Sequence, residues 1–121
     1  MAKILIVEDD LFISKMYKKK FEIKGHQVDT AADGKDGLDK MTTFAPDLVL
    51  MDIMMPKMNG LEALDAAKKD EKLKNIPVMI LTNLSTTDDA EASMKKGAIK
   101  FIIKSEVTPA QVVAEAEKFL K

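Results

Sequence analysis

Leu48-Val49-Leu50-Met51-Asp52 sets four apolar residues in a row and ends on an acid. A strand with one face in water alternates apolar with polar side chains. A continuous run suits a strand covered on both faces, as in a parallel sheet. Working outward, similar runs stand at Ile4-Leu5-Ile6-Val7, Val78-Met79-Ile80-Leu81 and Phe101-Ile102-Ile103, with a weaker one, Gln27-Val28-Asp29-Thr30-Ala31, between Val7 and Leu48. Gln27 and Asp29 mark the weaker run as an edge strand. Between successive runs there is room for a helix and two loops.

The spacers read as helices. From Leu11 to Lys24, the residues Ile13, Met16, Tyr17 and Phe21 fall on one helical face, and Gly25 supplies the stop. Gly34 to Thr43 and Gly60 to Lys69 form two more, the second capped by Asn59. From Thr86 to Lys96, Asp88 and Asp89 suit the first turn and Lys95 and Lys96 the last. The apolar side of that helix offers little beyond Ala90 and Met94, so it buries weakly. Thr108, Pro109 and Gln111 open the last helix with a capping box, and Val112, Val113, Ala116, Phe119 and Leu120 form its apolar stripe. His26, in the turn after Gly25, is expected in solvent. The pattern is five β-α units in one domain, residues 1–121: an α/β fold with a parallel sheet and helices on both faces.

Composition narrows the function classes. Among 121 residues, 46% are hydrophobic and 32% charged, an ordinary globular mixture. Nineteen basic against twenty acidic residues leave a net charge of -1, so no footprint for direct DNA binding is visible. The absence of cysteine excludes thiolate catalysis and thiolate metal sites, and one histidine cannot build a multi-histidine centre. No apolar stretch approaches the roughly 20 residues of a membrane span, and the N-terminal run is too short for a signal peptide. A cytoplasmic protein is the expectation.

In such a fold ligands bind at the carboxyl ends of the strands. Glu8, Asp9 and Asp10 follow the first strand, Asp52 the third, Thr82 the fourth and Lys104 the fifth. If the strands are parallel, all open on one edge of the sheet. Glu8, Asp9 and Asp52 against Lys104 leave two excess negative charges, which one divalent ion cancels. Hard oxygen ligands of this kind suit Mg²⁺, with Mn²⁺ able to substitute. A neutralised carboxylate beside a metal and a lysine is arranged to receive a phosphoryl group, with Asp52 as nucleophile and the Thr82 hydroxyl bonding a transferring oxygen.

These residues carry a resemblance to the receiver domains of bacterial two-component response regulators, of the single-domain chemotaxis type. The most specific stretch runs from Pro46 through Asp52 and Pro56 to Gly60. Val7-Glu8-Asp9-Asp10, Ile76 to Thr82 and Gly97 to Lys104 resemble the family's other segments, in order, and the resemblance as a whole runs from Lys3 to Leu120. The resemblance implies a flavodoxin-like three-layer sandwich with five strands in the order 2-1-3-4-5. It implies that Asp52 accepts a phosphoryl group from a sensor histidine kinase or a histidine phosphotransfer protein. Mg²⁺ would be held by Asp9 and Asp52, by Glu8 through water and by the Met54 backbone carbonyl, and Lys104 would pair with the phosphoryl oxygens. Thr82 and Phe101 would act as a switch that reshapes the face of the fourth helix, fifth strand and fifth helix for a downstream partner. Such a protein is a monomer or a phosphorylation-dependent dimer, and it turns over no external substrate. Lys121 lies just past the last apolar stripe; a stand-alone signalling protein is the expectation, with a receiver cut from a longer regulator or hybrid kinase as the alternative.

Several positions depart from the family pattern. Asn83 follows Thr82 where a small residue is usual, which narrows phosphodonor access. Ser105 follows Lys104 where proline is usual, so either a cis bond costing about 2.5 to 4 kcal/mol or a different loop is expected. Two rival readings fit the chemistry less well. A flavin or nucleotide carrier wants backbone N–H groups after the first strand, where Glu8-Asp9-Asp10 stands instead. An aspartate phosphatase wants a second acid at the position of Met54.

Met54 and Leu84, each two residues beyond a site residue, occupy positions that tune dephosphorylation in the family. Both are apolar and cannot orient an attacking water. The phosphorylated form is therefore expected to decay slowly, and Met54→Asn or Leu84→Glu to shorten its lifetime. A decay rate unchanged in both variants, followed by mass spectrometry, would overturn this reading.

Overall fold

The structure, a computed structural model, describes residues 1–83 and 87–120. Five strands, β1 (Lys3–Val7), β2 (Gln27–Ala31), β3 (Leu48–Met51), β4 (Val78–Thr82) and β5 (Lys100–Ile103), alternate with five helices, α1 (Leu11–Ile23), α2 (Gly34–Thr43), α3 (Gly60–Lys68), α4 (Thr87–Lys95) and α5 (Pro109–Glu117). All strand pairings are parallel, in the order β2-β1-β3-β4-β5, so the weak run is indeed an edge. Register aligns Val7 with Met51 and Thr82 with Ile103, which brings the strand ends to one edge.

The unbroken apolar runs follow from this placement, because alternate side chains enter two different cores. Ile4, Ile6, Leu48, Leu50, Met79, Leu81 and Ile102 pack with Tyr17 and Phe21 of α1 and Val112, Val113 and Ala116 of α5. Leu5, Val7, Val49, Met51, Val78 and Ile80 pack on the opposite face with Met41 of α2 and Ala63, Leu64 and Ala67 of α3. Burying a side chain of this size contributes about 1.5 to 3 kcal/mol each. The two cores make the three layers of the expected flavodoxin-like sandwich.

Capping matches the local sequence. Asn59 with Glu62, and Thr108 with Gln111, form reciprocal capping boxes. Three sequence expectations are corrected. His26 is not in solvent: its side chain is 9% exposed, with Nε2 at 3.0 Å from Glu117 and Nδ1 accepting the Ala2 N–H at 3.1 Å. An Nδ1 that accepts must be unprotonated, so the ring proton sits on Nε2 and donates to Glu117. The turn at Gly25 (φ 91°) directs the imidazole back against Phe21 rather than outward. Met94 of α4 is half exposed, and the buried residue of that helix is Ser93, whose hydroxyl donates to the Asp89 carbonyl at 2.8 Å. Phe119 is exposed because α5 ends at Glu117, before the stripe would return it to the core.

One glycine positions the edge of the sheet directly. A Cβ on Gly60 would lie 2.0 Å from the Asp52 carbonyl oxygen and 3.0 Å from Ile53 Cα, while its N–H donates to the Ile53 carbonyl at 2.9 Å. The loop returns to this contact through Lys57, which holds a left-handed φ of 65°. Backbone atoms on both sides cannot yield as a flexible side chain would. Gly60→Ala is expected to destabilise the fold by about 3 kcal/mol, the upper range for overpacking, measured by urea denaturation.

Candidate functional site

The site forms where β1, β3 and β5 end. Glu8 leaves β1 with its N–H bonded to the Ala31 carbonyl, and Asp52 leaves β3 with its N–H bonded to the Val7 carbonyl. Both carboxylates are buried, whereas Asp9 between them is exposed. One oxygen from each of Glu8, Asp9 and Asp52 can be chosen so that all lie within 4.8 Å of one another. Asp10, the third acid of the run, is diverted. It caps α1 by accepting the N–H groups of Phe12 and Ile13 at 2.9 and 3.1 Å, which binds it to the helix rather than to the cluster.

Lys104 supplies the cation. Its Nζ donates to Asp52 Oδ2 at 2.9 Å and to Glu8 Oε1. Asp52 Oδ1 accepts the N–H of Ile53 at 2.7 Å and that of Met54 at 3.3 Å, so each carboxylate oxygen has a partner and the group is oriented. Glu8 Oε2 accepts the Asp10 N–H at 3.1 Å.

Electrostatics follow from one ammonium serving two buried carboxylates. Burial pushes the Glu8 carboxyl above its usual range, because its bonds to Lys104 and Asp10 do not make up the lost hydration, and the Asp52 charge adds to the push. Burial alone would lower Lys104, but its hydrogen bonds and charge attraction to Glu8 and Asp52 outweigh that and raise it. Both shifts are upward, which disfavours the charge on Glu8 and favours that on Lys104, because Lys104 has two opposite charges beside it and Glu8 has one opposite and one like. Burial also lifts the Tyr17 phenol above its usual range, with Lys104 pulling it back and Glu8 adding to the lift.

The remaining sequence candidates stand around this centre. Thr82 is buried at the end of β4, paired in register with Ile103 beside Lys104. Phe101 is half-buried on the opposite face from Ile102, against the core of α2 and α3. The Met54 side chain is 63% exposed beside an open groove of about 510 Å³ lined by Asp9, Ile53, Met54, Met55 and Asn59. Leu84 lies outside the described residues. At Lys104-Ser105 the described backbone holds no cis bond, and the chain turns through a 3₁₀ turn, Lys104–Glu106. Sequence reasoning missed two features. Tyr17 was legible only as one residue of an apolar stripe, and the Ser105 N–H donates to Asn83 Oδ1 at 3.1 Å, a bond across 22 residues that no local pattern announces.

The donor set fits a hard divalent cation. Three carboxylates face a single ammonium, the surplus is negative, and every candidate ligand is oxygen. Among the described residues no helix is long and apolar enough to cross a membrane.

Comparison with known proteins agrees with this geometry. The family profile of the response regulator receiver domain matches residues 4–117. The chain is 36% identical over 104 residues to response regulator ArlR of Staphylococcus aureus, an alignment covering 86% of this chain and 46% of the relative. It therefore spans about half the length of the curated relatives it matches. Among solved structures, chemotaxis protein CheY4 of Vibrio cholerae superposes with a TM-score of 0.90 at 28% identity, covering 99% of each chain. The BeF3-activated N-terminal receiver domain of RstA from Klebsiella pneumoniae gives 0.90 at 26% identity, covering 98% of each. The chain belongs to the response regulator receiver domain family of two-component systems.

Crowded like charge costs stability, and the variants should show it. Asp52→Asn removes one carboxylate while leaving Lys104 paired with Glu8, so the metal-free protein at pH 7 is expected to gain about 1 kcal/mol, a melting shift of about 4 °C. Lys104→Met strands two buried carboxylates and should cost about 3 kcal/mol. Because the Glu8 carboxyl is raised in the fold, the native state binds more protons than the unfolded chain between the two values. Stability of the metal-free protein therefore falls as pH rises from 4.5 through that window. Saturating Mg²⁺ should raise the melting temperature of the unaltered protein more than that of Asp52→Asn, in calorimetry across pH 4 to 8.

Proposed function

We propose that Asp52 is the phosphoacceptor of a two-component phosphorelay, phosphorylated from the phosphohistidine of a sensor histidine kinase or a histidine phosphotransfer protein. The observation that carries this reading is the Lys104 ammonium bonded to both Glu8 and Asp52, with Asp9 beside them. A buried carboxylate oriented by a cation, beside acids able to hold a divalent ion, is arranged for phosphoryl transfer.

The transfer is a displacement at phosphorus. A carboxylate oxygen of Asp52 attacks, the bond from phosphorus to the imidazole nitrogen breaks, and its electron pair stays on that nitrogen. The ring, protonated on its other nitrogen, leaves neutral, and Asp52 becomes an acyl phosphate. Lys104 then exchanges its bond to Asp52 for one to a phosphoryl oxygen. The N–H groups of Ile53 and Met54 keep the reacting carboxylate oriented before the donor arrives. Mg²⁺, held by Asp9, Asp52, the Met54 carbonyl and Glu8 through water, would neutralise the carboxylate surplus and the charge of the transferring group. The groove beside Asp9 and Met54 is the route of approach.

The Thr82 hydroxyl, turning to the phosphoryl group, would let Phe101 move inward and so change the face of α4, β5 and α5 for a downstream protein. Phosphorylation would also be the trigger for any dimer. The RstA receiver domain, of the same fold, was solved in a BeF3-activated form. Beyond the gain and loss of the phosphoryl group on its own Asp52, we expect no multiple-turnover reaction on an external substrate, which suits a cytoplasmic signal carrier better than an enzyme.

Intact-mass analysis after incubation with phosphoramidate tests the proposal. The expected result is a gain of one phosphoryl group that requires Mg²⁺ and is lost in Asp52→Asn. No gain in folded, Mg²⁺-binding protein would overturn it.

A further inference from the structure

We propose that Asn83 is a positioning residue for Lys104, acting through the Ser105 peptide, an inference that rests on the phosphoacceptor reading above. The sheet ladder ends at the Thr82–Ile103 pair. Beyond it, the Asn83 side-chain carbonyl accepts the Ser105 N–H at 3.1 Å and so prolongs the tie between β4 and the Lys104 turn.

Among the described residues, the turn is otherwise tied through the Lys104 side chain, to Glu8 and Asp52, and only weakly through its backbone. Its own closing bond, from the Val107 N–H to the Lys104 carbonyl, is 3.5 Å long, at the outer limit for a hydrogen bond. Ser105 and Glu106 are exposed, and only the Lys104 side chain reaches into the site. A cavity of about 240 Å³, bordered by Ile13, Tyr17, Asn83, Lys104 and Ser105, leaves the turn room to swing away from the site. One hydrogen bond of ordinary strength shifts the position of the turn about fivefold to tenfold, adding to the two ion pairs that keep Lys104 over Asp52. The residue that holds the turn is the neighbour of Thr82, so both groups that meet the phosphoryl oxygens are set from one strand end. Serine rather than proline at 105 is what makes the tie possible, because proline has no N–H to donate.

The test is Mg²⁺-dependent phosphorylation by phosphoramidate, followed across donor concentration in the unaltered protein, Asn83→Ala and Asn83→Asp, with amide hydrogen exchange at Ser105. Asn83→Ala loses the acceptor, so its maximal rate should fall about tenfold even though the smaller side chain widens donor access and holds or lowers the half-saturating donor concentration, and Ser105 should exchange faster. Asn83→Asp keeps an acceptor oxygen. Its maximal rate and Ser105 protection should stay near the unaltered values, while its added charge raises the half-saturating donor concentration. An Asn83→Ala protein that transfers as fast as the unaltered one, or faster, overturns the positioning role and leaves the phosphoacceptor reading intact. A folded, unaltered protein that takes up no phosphoryl group overturns both, whatever Ser105 exchange shows.

Discussion

The Lys104 ammonium, bonded to Glu8 and Asp52, is the interaction on which the functional edge depends. It joins the ends of β1, β3 and β5, elements separated by 52 and 96 residues along the chain. Without it, two buried carboxylates and an exposed third would face each other across a few ångströms. With it, charge remains unbalanced by design, and the imbalance defines what the edge attracts: a hard cation and, through it, an anionic phosphoryl group. The same imbalance works against the resting fold, and the two apolar cores beneath the sheet offset that cost.

Backbone groups do much of the orienting. The amides of Ile53 and Met54 hold one oxygen of Asp52 and Lys104 holds the other, so the carboxylate has little freedom to lose before reaction. The Asp52 carbonyl is in turn packed against Gly60, where no side chain fits. The loop between β3 and α3 is therefore part of the site even where it contributes no reactive group. On the opposite side, Asn83 and Ser105 join the β4 end to the turn carrying Lys104. Backbone contacts fix Asp52, whereas its cation is held by its own ion pairs and, at the backbone of its turn, by the Asn83–Ser105 bond.

Much of this was legible in the chain. Continuous apolar runs such as Leu48 to Met51 marked strands covered on both faces, and the polar Gln27 and Asp29 marked the edge. Asn59 and Thr108 announced helix starts because a capping bond reaches only three residues. The stripe through Phe119 was overextended, because apolar spacing does not say where a helix stops. His26 misled for a related reason: a turn position suggests solvent, but the partners that bury it, Ala2 and Glu117, come from the two ends of the domain.

The sequence by itself determined the strand and helix pattern, the parallel class of the sheet and the set of acids and the lysine at its strand ends. Each of these rests on spacing within one element or on the alternation of elements. Only the tertiary structure decided that Asp10 turns away to cap a helix, that one ammonium serves two carboxylates, that Tyr17 lies near enough to feel both charges, and that Asn83 reaches Ser105. Those choices depend on strand register and on which loop oxygens and N–H groups come within about 3 Å across distant segments, a condition that no local spacing encodes.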